Sequence, residues 1–311
     1  MVIPIPPERF QELVDAVCEG RYAGTEDAAR FGARIEDWDV SQVEDFSEAF
    51  AERPVMNYDL SRWDVSNAKT MRGMFRNAQR FNRPLGRWNV SRVTDMSEMF
   101  LGARRFHRRI WRWNVSRVTD MSRMFQDAWA FDQALEAWDV GQVTTMANMF
   151  RGARRFHRPL GRWNTARVRD MSGMFAETGR FHQPIGDWDT SCVETMAGMF
   201  SNALRFNQDL SRWNTAQVTD MSEMFSDTKA FDRDLSRWDV GNVQTMTRMF
   251  FRAQDFNGPL AGWDVRRVTD MTFMFGGARQ FQQPLNSWHV RADTNTKGMF
   301  RGAAYRTSYV S

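Results

Sequence analysis

The chain of 311 residues is poor in lysine, tyrosine and cysteine, with three Lys, four Tyr and two Cys. Cys18 and Cys192 lie in unrelated surroundings, which excludes a disulfide framework. No apolar run approaches the about 20 residues of a membrane-spanning helix, so membrane insertion is not expected. Met1 to Leu13 (MVIPIPPERFQEL) has neither the basic nor the apolar segment of a secretory signal. Gly-x-Ser-x-Gly, a Gly-rich Lys-Ser/Thr loop and His-Glu-x-x-His are all missing. These absences point away from an enzyme, a cofactor and a small-molecule substrate.

Met, Trp and Phe are abundant instead, at 21, 13 and 25 residues, which argues against a disordered chain. Their positions explain the excess. Eleven tryptophans fall every 25 residues from Trp38 to Trp288. Phe50 to Phe300 form a second such series, and Phe31 to Phe281 a third in which Met56 is the one substitution. Met71 to Met271 and Met74 to Met299 add two more. A fixed period of this length marks a repeat array.

With the Trp as slot 1, a unit reads W-D/N-V/T-x-x-V-x-D/T-M-x-x-M-F-x-x-A-x-x-F-x-x-x-L-x-x, as in Trp88 to Arg112. Slots 9, 12, 13 and 16 (Met96, Met99, Phe100 and Ala103) have the spacing of one helix face. Slot 8 carries Asp or Thr where a helix N-cap belongs, and Asp45/Glu48, Asp95/Glu98 and Asp220/Glu223 have capping-box spacing. Around slot 1, apolar and polar slots alternate as in a short strand. The pattern predicts an α/β repeat solenoid of about eleven strand–helix turns with one parallel sheet. Turns roughly 4.8 Å apart would make a stack on the order of 50 Å long.

Two regions are predicted. Residues 1–37 read as an N-terminal helical cap and half-repeat: Pro7 to Cys18 looks helical, and Ala28, Phe31 and Ile35 already occupy slots 16, 19 and 23. Residues 38–311 hold the eleven repeats, the last a degenerate C-terminal cap with Thr296 in a Met slot, His289 at slot 2 and a polar tail.

Trp63-Asp64-Val65-Ser66, Val118-Thr119-Asp120-Met121-Ser122 and the stretch Ala29 to Ser41 (ARFGARIEDWDVS) carry a resemblance. From about Phe10 to Ala303 the chain resembles the 25-residue repeats of BspA-like leucine-rich-repeat surface proteins. The resemblance implies a leucine-rich-repeat-like fold, display at the cell surface or secretion, and adhesion or protein binding. Against that, the missing signal leaves an intracellular or assembly-bound location as the alternative.

Charge selects the candidate site. Of 42 basic residues, 39 are Arg. Slot 25 is Arg at Arg62, Arg87, Arg112, Arg162, Arg212 and Arg237, and slot 2 is Asp or Asn in ten of eleven units. Both would lie on the open sheet face, either as a self-neutralising lattice or as a partner surface with Arg92, Arg117 and Arg167. Residues 101–125 have seven Arg against Asp120, a net of +6; 126–150 have four acids and no Lys or Arg; 151–175 return to +6. Arg104, Arg105, Arg108, Arg109, Arg154, Arg155 and Arg158 are therefore candidates for a polyanion, acidic glycan or nucleic acid. Arg104, Arg105, Arg154 and Arg155 would also suit helix C-termini.

Leu101, Trp111, Trp129, Leu204, Phe251 and Phe273 occupy slots that are usually small or polar. Trp111, among Arg108, Arg109 and Arg112, is the leading hot-spot candidate. The Met-x-x-Met pairs read as core rather than copper ligands. His107, Asp132, His157 and His182 at slot 20 read as a loop-stabilising ladder rather than a metal site. The favoured function is a non-enzymatic scaffold for a protein partner; the alternatives are a structural subunit of an assembly and a polyanion binder.

Overall fold

The computed structural model describes residues 3–305, and among these all helix lies before Trp38. A single 3-10 turn at Pro7–Arg9 leads into α1 (Phe10–Cys18), whose Phe10, Leu13 and Val14 are buried. Proline is tolerated in that first turn because its missing N–H would have no partner there. Phe10 meets Phe46 edge-on at 5.1 Å and Trp63 at 5.9 Å, so α1 covers the first turns of the array. The short α2 (Glu26–Phe31) starts at Thr25, whose side chain accepts the Ala28 N–H, and stops at Gly32, where φ is 107°. Ala28, Phe31 and Ile35 are buried, as their slots predict.

The expected α/β solenoid is not formed. From Trp38 onward the described residues contain neither a helix nor a sheet. Slots 9–16 make a train of β-turns instead. In one unit the N–H groups of Met74, Arg76 and Ala78 donate to the carbonyls of Met71, Gly73 and Phe75, three residues back. The alternate N–H groups, those of Met71, Gly73, Phe75 and Asn77, donate to Asp95, Ser97, Met99 and Leu101 in the next unit at 2.7–3.0 Å. An α-helix would turn every N–H back onto its own segment; here half are spent on the neighbour.

The backbone enforces this choice. Slots 11 and 15 have positive φ in all eleven units, for example Gly73 at 58° and Asn77 at 57°. L-residues in a right-handed helix do not take that conformation every fourth position. A β-turn with positive φ at its third residue requires it. The capping-box reading falls for the same reason: Glu48, Glu98 and Glu223 sit at slot 11 with φ of 58°, 58° and 55°. Nor do Arg104, Arg105, Arg154 and Arg155 end helices; they follow the slot-16 turn.

Between repeats the parallel pairing sits at slot 8, not around the Trp; a separate bridge joins Pro4 to Asp39. Single bridges join Asp45 to Thr70, Thr70 to Asp95 and so on to Asn295. Each slot-8 side chain accepts the N–H two residues on, as Asp120 does from Ser122 at 2.7 Å. Around slot 1 the expected strand is a turn, with the Trp88 N–H donating to the Leu85 carbonyl at 3.0 Å.

Side chains stack in columns. The indoles of Trp88 and Trp113 lie 6.5 Å apart and within 4° of parallel, and Phe100 stacks on Phe106 at 3.9 Å. From Trp63 to Trp288 each slot-1 indole also donates its N–H to a carbonyl of the preceding turn, Trp163 to Leu135 at 3.0 Å for instance, whereas Trp38 donates to Gly32. That bond separates Trp from Phe at slot 1. Met96, Met99 and Phe100 are fully buried, which identifies the Met pairs as core. Burying each such side chain contributes about 1.5–3 kcal/mol, and the faces that bury it belong to neighbouring turns.

Candidate functional site

Slots 20–25 form one corner of every turn. Slot 20 anchors it: the Asn82 side chain accepts the His107 N–H, and Asp132 that of His157, each at 3.1 Å. Slot-21 arginines brace it, since Arg108 Nε donates to the Asn82 carbonyl at 2.9 Å and Arg158 Nε to that of Asp132 at 3.0 Å. Slot 24 needs a small residue in places: a Cβ on Gly86 would come within 2.7 Å of the Arg109 carbonyl.

Along five successive turns this corner encloses a groove of about 1200 Å³. Six arginines line it: Arg62, Arg87, Arg108, Arg109, Arg112 and Arg158. Asp132 is the one carboxylate in the lining, and it is engaged by Arg158 at 2.9 Å. Arg62 has a long 3.8 Å contact to Asp37. Among the described residues Arg87 and Arg109 make no side-chain hydrogen bond or ion pair, and both are exposed. A surplus of unpaired guanidinium groups in one concavity sets up a local positive potential. Trp111 lies in the same lining, 44% exposed, with the Arg112 guanidinium 4.8 Å from its ring centroid.

The groove therefore gathers Arg62, Arg87 and Arg112 from the partner set, Arg108, Arg109 and Arg158 from the polyanion set, and Trp111. It does not include the others. Arg92 donates to Asn67 at 2.5 Å and Arg167 to Gln142, Arg162 has Glu136 at 3.9 Å, and Arg117 is exposed on the same row as Arg92. Arg104 and Arg154 stack on Trp129 at 4.1 and 4.4 Å, with Arg105 and Arg155 exposed beside them.

The Arg/Asp-rich sheet face expected at slots 25 and 2 is absent with its sheet. Slot-2 side chains turn onto their own backbone: Asn114 accepts the Ser116 N–H at 3.1 Å, and Asp189 that of Ser191 at 2.9 Å. Hydrogen bonds from Ser191 hold the Asp189 carboxyl below its ordinary pKa.

The family described as "Mycoplasma protein of unknown function, DUF285" matches residues 22–137, 120–231 and 205–310. The chain belongs to this family. Successive DUF285 matches overlap, so they tile 22–310 without a gap. No curated protein matches the chain. A solved structure titled "Crystal structure of TLR13-ssRNA13 complex" is similar at 8% identity over 78% of this chain and 47% of that one, with a TM-score of 0.22. The chain thus spans less than half of that structure, and a likeness of this degree carries no argument.

Sequence reasoning placed Trp111 among Arg108, Arg109 and Arg112 but did not bring Arg62, Arg87 and Arg158 to the same concavity. The signal was present in this DUF285 chain: every groove residue falls in slots 20–25. Ser61, Pro84, Gly86, His107, Gln133 and Ala134 complete the wall and were not singled out as binding residues.

Proposed function

We propose that this chain is a non-enzymatic recognition scaffold that holds an acidic macromolecular partner in the groove around Trp111. The observation that carries the reading is the convergence of six arginines and one exposed indole on a single concavity, with one carboxylate among them. Arg and Trp are the side chains most often found at binding hot spots. The finer kinship, with BspA-like repeat proteins, favours adhesion and surface display, and is part of the same proposal. So is the division into a helical cap at 1–37 and a repeat array at 38–311.

The test is a binding panel of acidic proteins, acidic polysaccharides and nucleic acids on the full chain and on Trp111→Ala. An anchoring Trp111 makes the variant about 2 kcal/mol weaker. Equal binding by both proteins across the panel removes the groove as the site.

A further inference from the structure

We infer that the groove takes an acidic polysaccharide, whose uronate carboxylates pair with arginines of successive turns while one sugar face lies on Trp111. The inference rests on the scaffold reading above and names its ligand.

Spacing is the first argument. Arg62, Arg87 and Arg112 hold the same slot on three consecutive turns. The parallel bridges at slot 8 set paired backbones about 4.8 Å apart, and the ring columns on either side of the groove repeat at 5.9 Å (Phe81 to Phe106) and 6.5 Å (Trp88 to Trp113). A 1,4-linked pyranose advances by a length of this order per sugar. Carboxylates on such a chain therefore keep step with the turns, at each sugar or at every second one.

Donor geometry is the second. A guanidinium presents paired N–H groups that match the two oxygens of a carboxylate. Arg87 and Arg109 have theirs free among the described residues. Arg108 is fixed through Nε to the Asn82 carbonyl, which leaves its terminal nitrogens for a ligand without further ordering cost.

Trp111 is the third. Arg112 covers one part of its ring, and the residue stays 44% exposed. The C–H face of a pyranose is a flat apolar patch suited to an open indole.

Two other polyanions fit less well. Single-stranded nucleic acid is held on successive aromatic platforms, whereas Trp111 is the single indole or phenyl ring in the lining. An acidic peptide would use an apolar anchor pocket or an open backbone ladder. The ladder of this fold runs through slots 8–15, outside the groove's slots 20–25.

The experiment is titration of the full chain with polygalacturonate, and in parallel with polyglutamate, an oligothymidylate and dextran. Polygalacturonate binds with an affinity that falls as salt rises, and dextran does not bind. Arg87→Glu with Arg109→Glu weakens polygalacturonate at least about ten-fold, as does Trp111→Ala. Arg237→Glu, the same slot outside the groove, leaves it unchanged. If the double reversal unfolds the chain, Arg109→Gln alone carries the test, with a smaller loss in the same direction. Groove-dependent binding of polyglutamate or the oligonucleotide without polygalacturonate overturns the ligand class and keeps the scaffold. Polygalacturonate binding untouched by all groove variants overturns the inference. No binding of any of the three polyanions at low salt overturns inference and scaffold together.

Discussion

The Arg104 guanidinium lies 4.1 Å from the ring centroid of Trp129, one turn further along the stack. Arg154, one turn beyond, approaches the same ring at 4.4 Å. The indole thereby stands between two turns of net charge +6 and takes up one guanidinium from each. Trp129→Ala should cost about 1–2 kcal/mol in urea unfolding and make stability rise with added salt, which screens the exposed arginines. Trp129→Phe keeps a ring and removes an indole N–H that is buried without a partner, so its loss should be about 1 kcal/mol or less. Equal losses for the two variants would contradict this account.

Phe273 and Gly298 form a second coupled pair. Phe273 is held at φ 53°, and a Cβ placed on Gly298 would lie 2.6 Å from its ring. Gly298 itself has φ 65°. Gly298→Ala should destabilise by about 1–3 kcal/mol. In a Phe273→Gly background the steric part disappears, and the cost of Gly298→Ala should shrink by about 1 kcal/mol. A double-mutant cycle measures the difference, and additivity within its error would refute the clash.

Trp163 tests the indole-to-carbonyl bond. Trp163→Phe preserves an aromatic in the column and removes the indole N–H, one of the two donors to the buried Leu135 carbonyl, which keeps the Trp138 N–H at 3.0 Å. The expected loss is about 0.5–1.5 kcal/mol, and Trp163→Ala should lose about 3–5. Urea unfolding of both checks the order.

Acid should weaken the fold through its carboxylates. Burial pushes the Glu98 carboxyl up, but hydrogen bonds from Arg123 and Arg76 bring it below its ordinary value overall. The Arg266 side chain and its backbone N–H lower Asp264 from 3.8 to about 2. Folded-state values below the unfolded ones mean stabilisation that is complete above the unfolded pKa, about 4, and lost as pH falls through the folded values. Stability should therefore be flat from pH 7 to about 5 and fall below about 4. Glu98→Gln should cost about 1–3 kcal/mol at pH 7 and flatten the acid slope. A slope unchanged by that substitution would exclude Glu98 as a contributor.

The period and the core were legible in the sequence because one side-chain type recurs wherever the same neighbours close on it. Helix and sheet were misread for a physical reason. Consecutive β-turns place Met96, Met99 and Ala103 three or four residues apart, the same spacing as a helix face. Side-chain spacing does not report where the alternate N–H groups go. The backbone did leave a trace: Gly, Asn or Asp occupies slot 15 at Asn77, Gly102, Asp127, Gly152, Asn202, Asp227, Gly277 and Gly302, the residues that most readily take positive φ. Slot 8 was recognised as a side-chain acceptor but assigned to a helix start rather than to a turn. The groove was half legible: its arginines were picked out one set at a time, and only the stacking of slots 20–25 brings Arg87 beside Arg109 and Trp111.

The tryptophan column has an optical consequence. Neighbouring indoles such as Trp188 and Trp213 lie 6.5 Å apart and within 2° of parallel, close enough for an excited ring to hand its energy to the next before emitting. Light absorbed anywhere along the column would leave from whichever ring traps it. The protein's ultraviolet emission would then be a property of runs of turns, and a quencher touching one end would darken tryptophans it never meets.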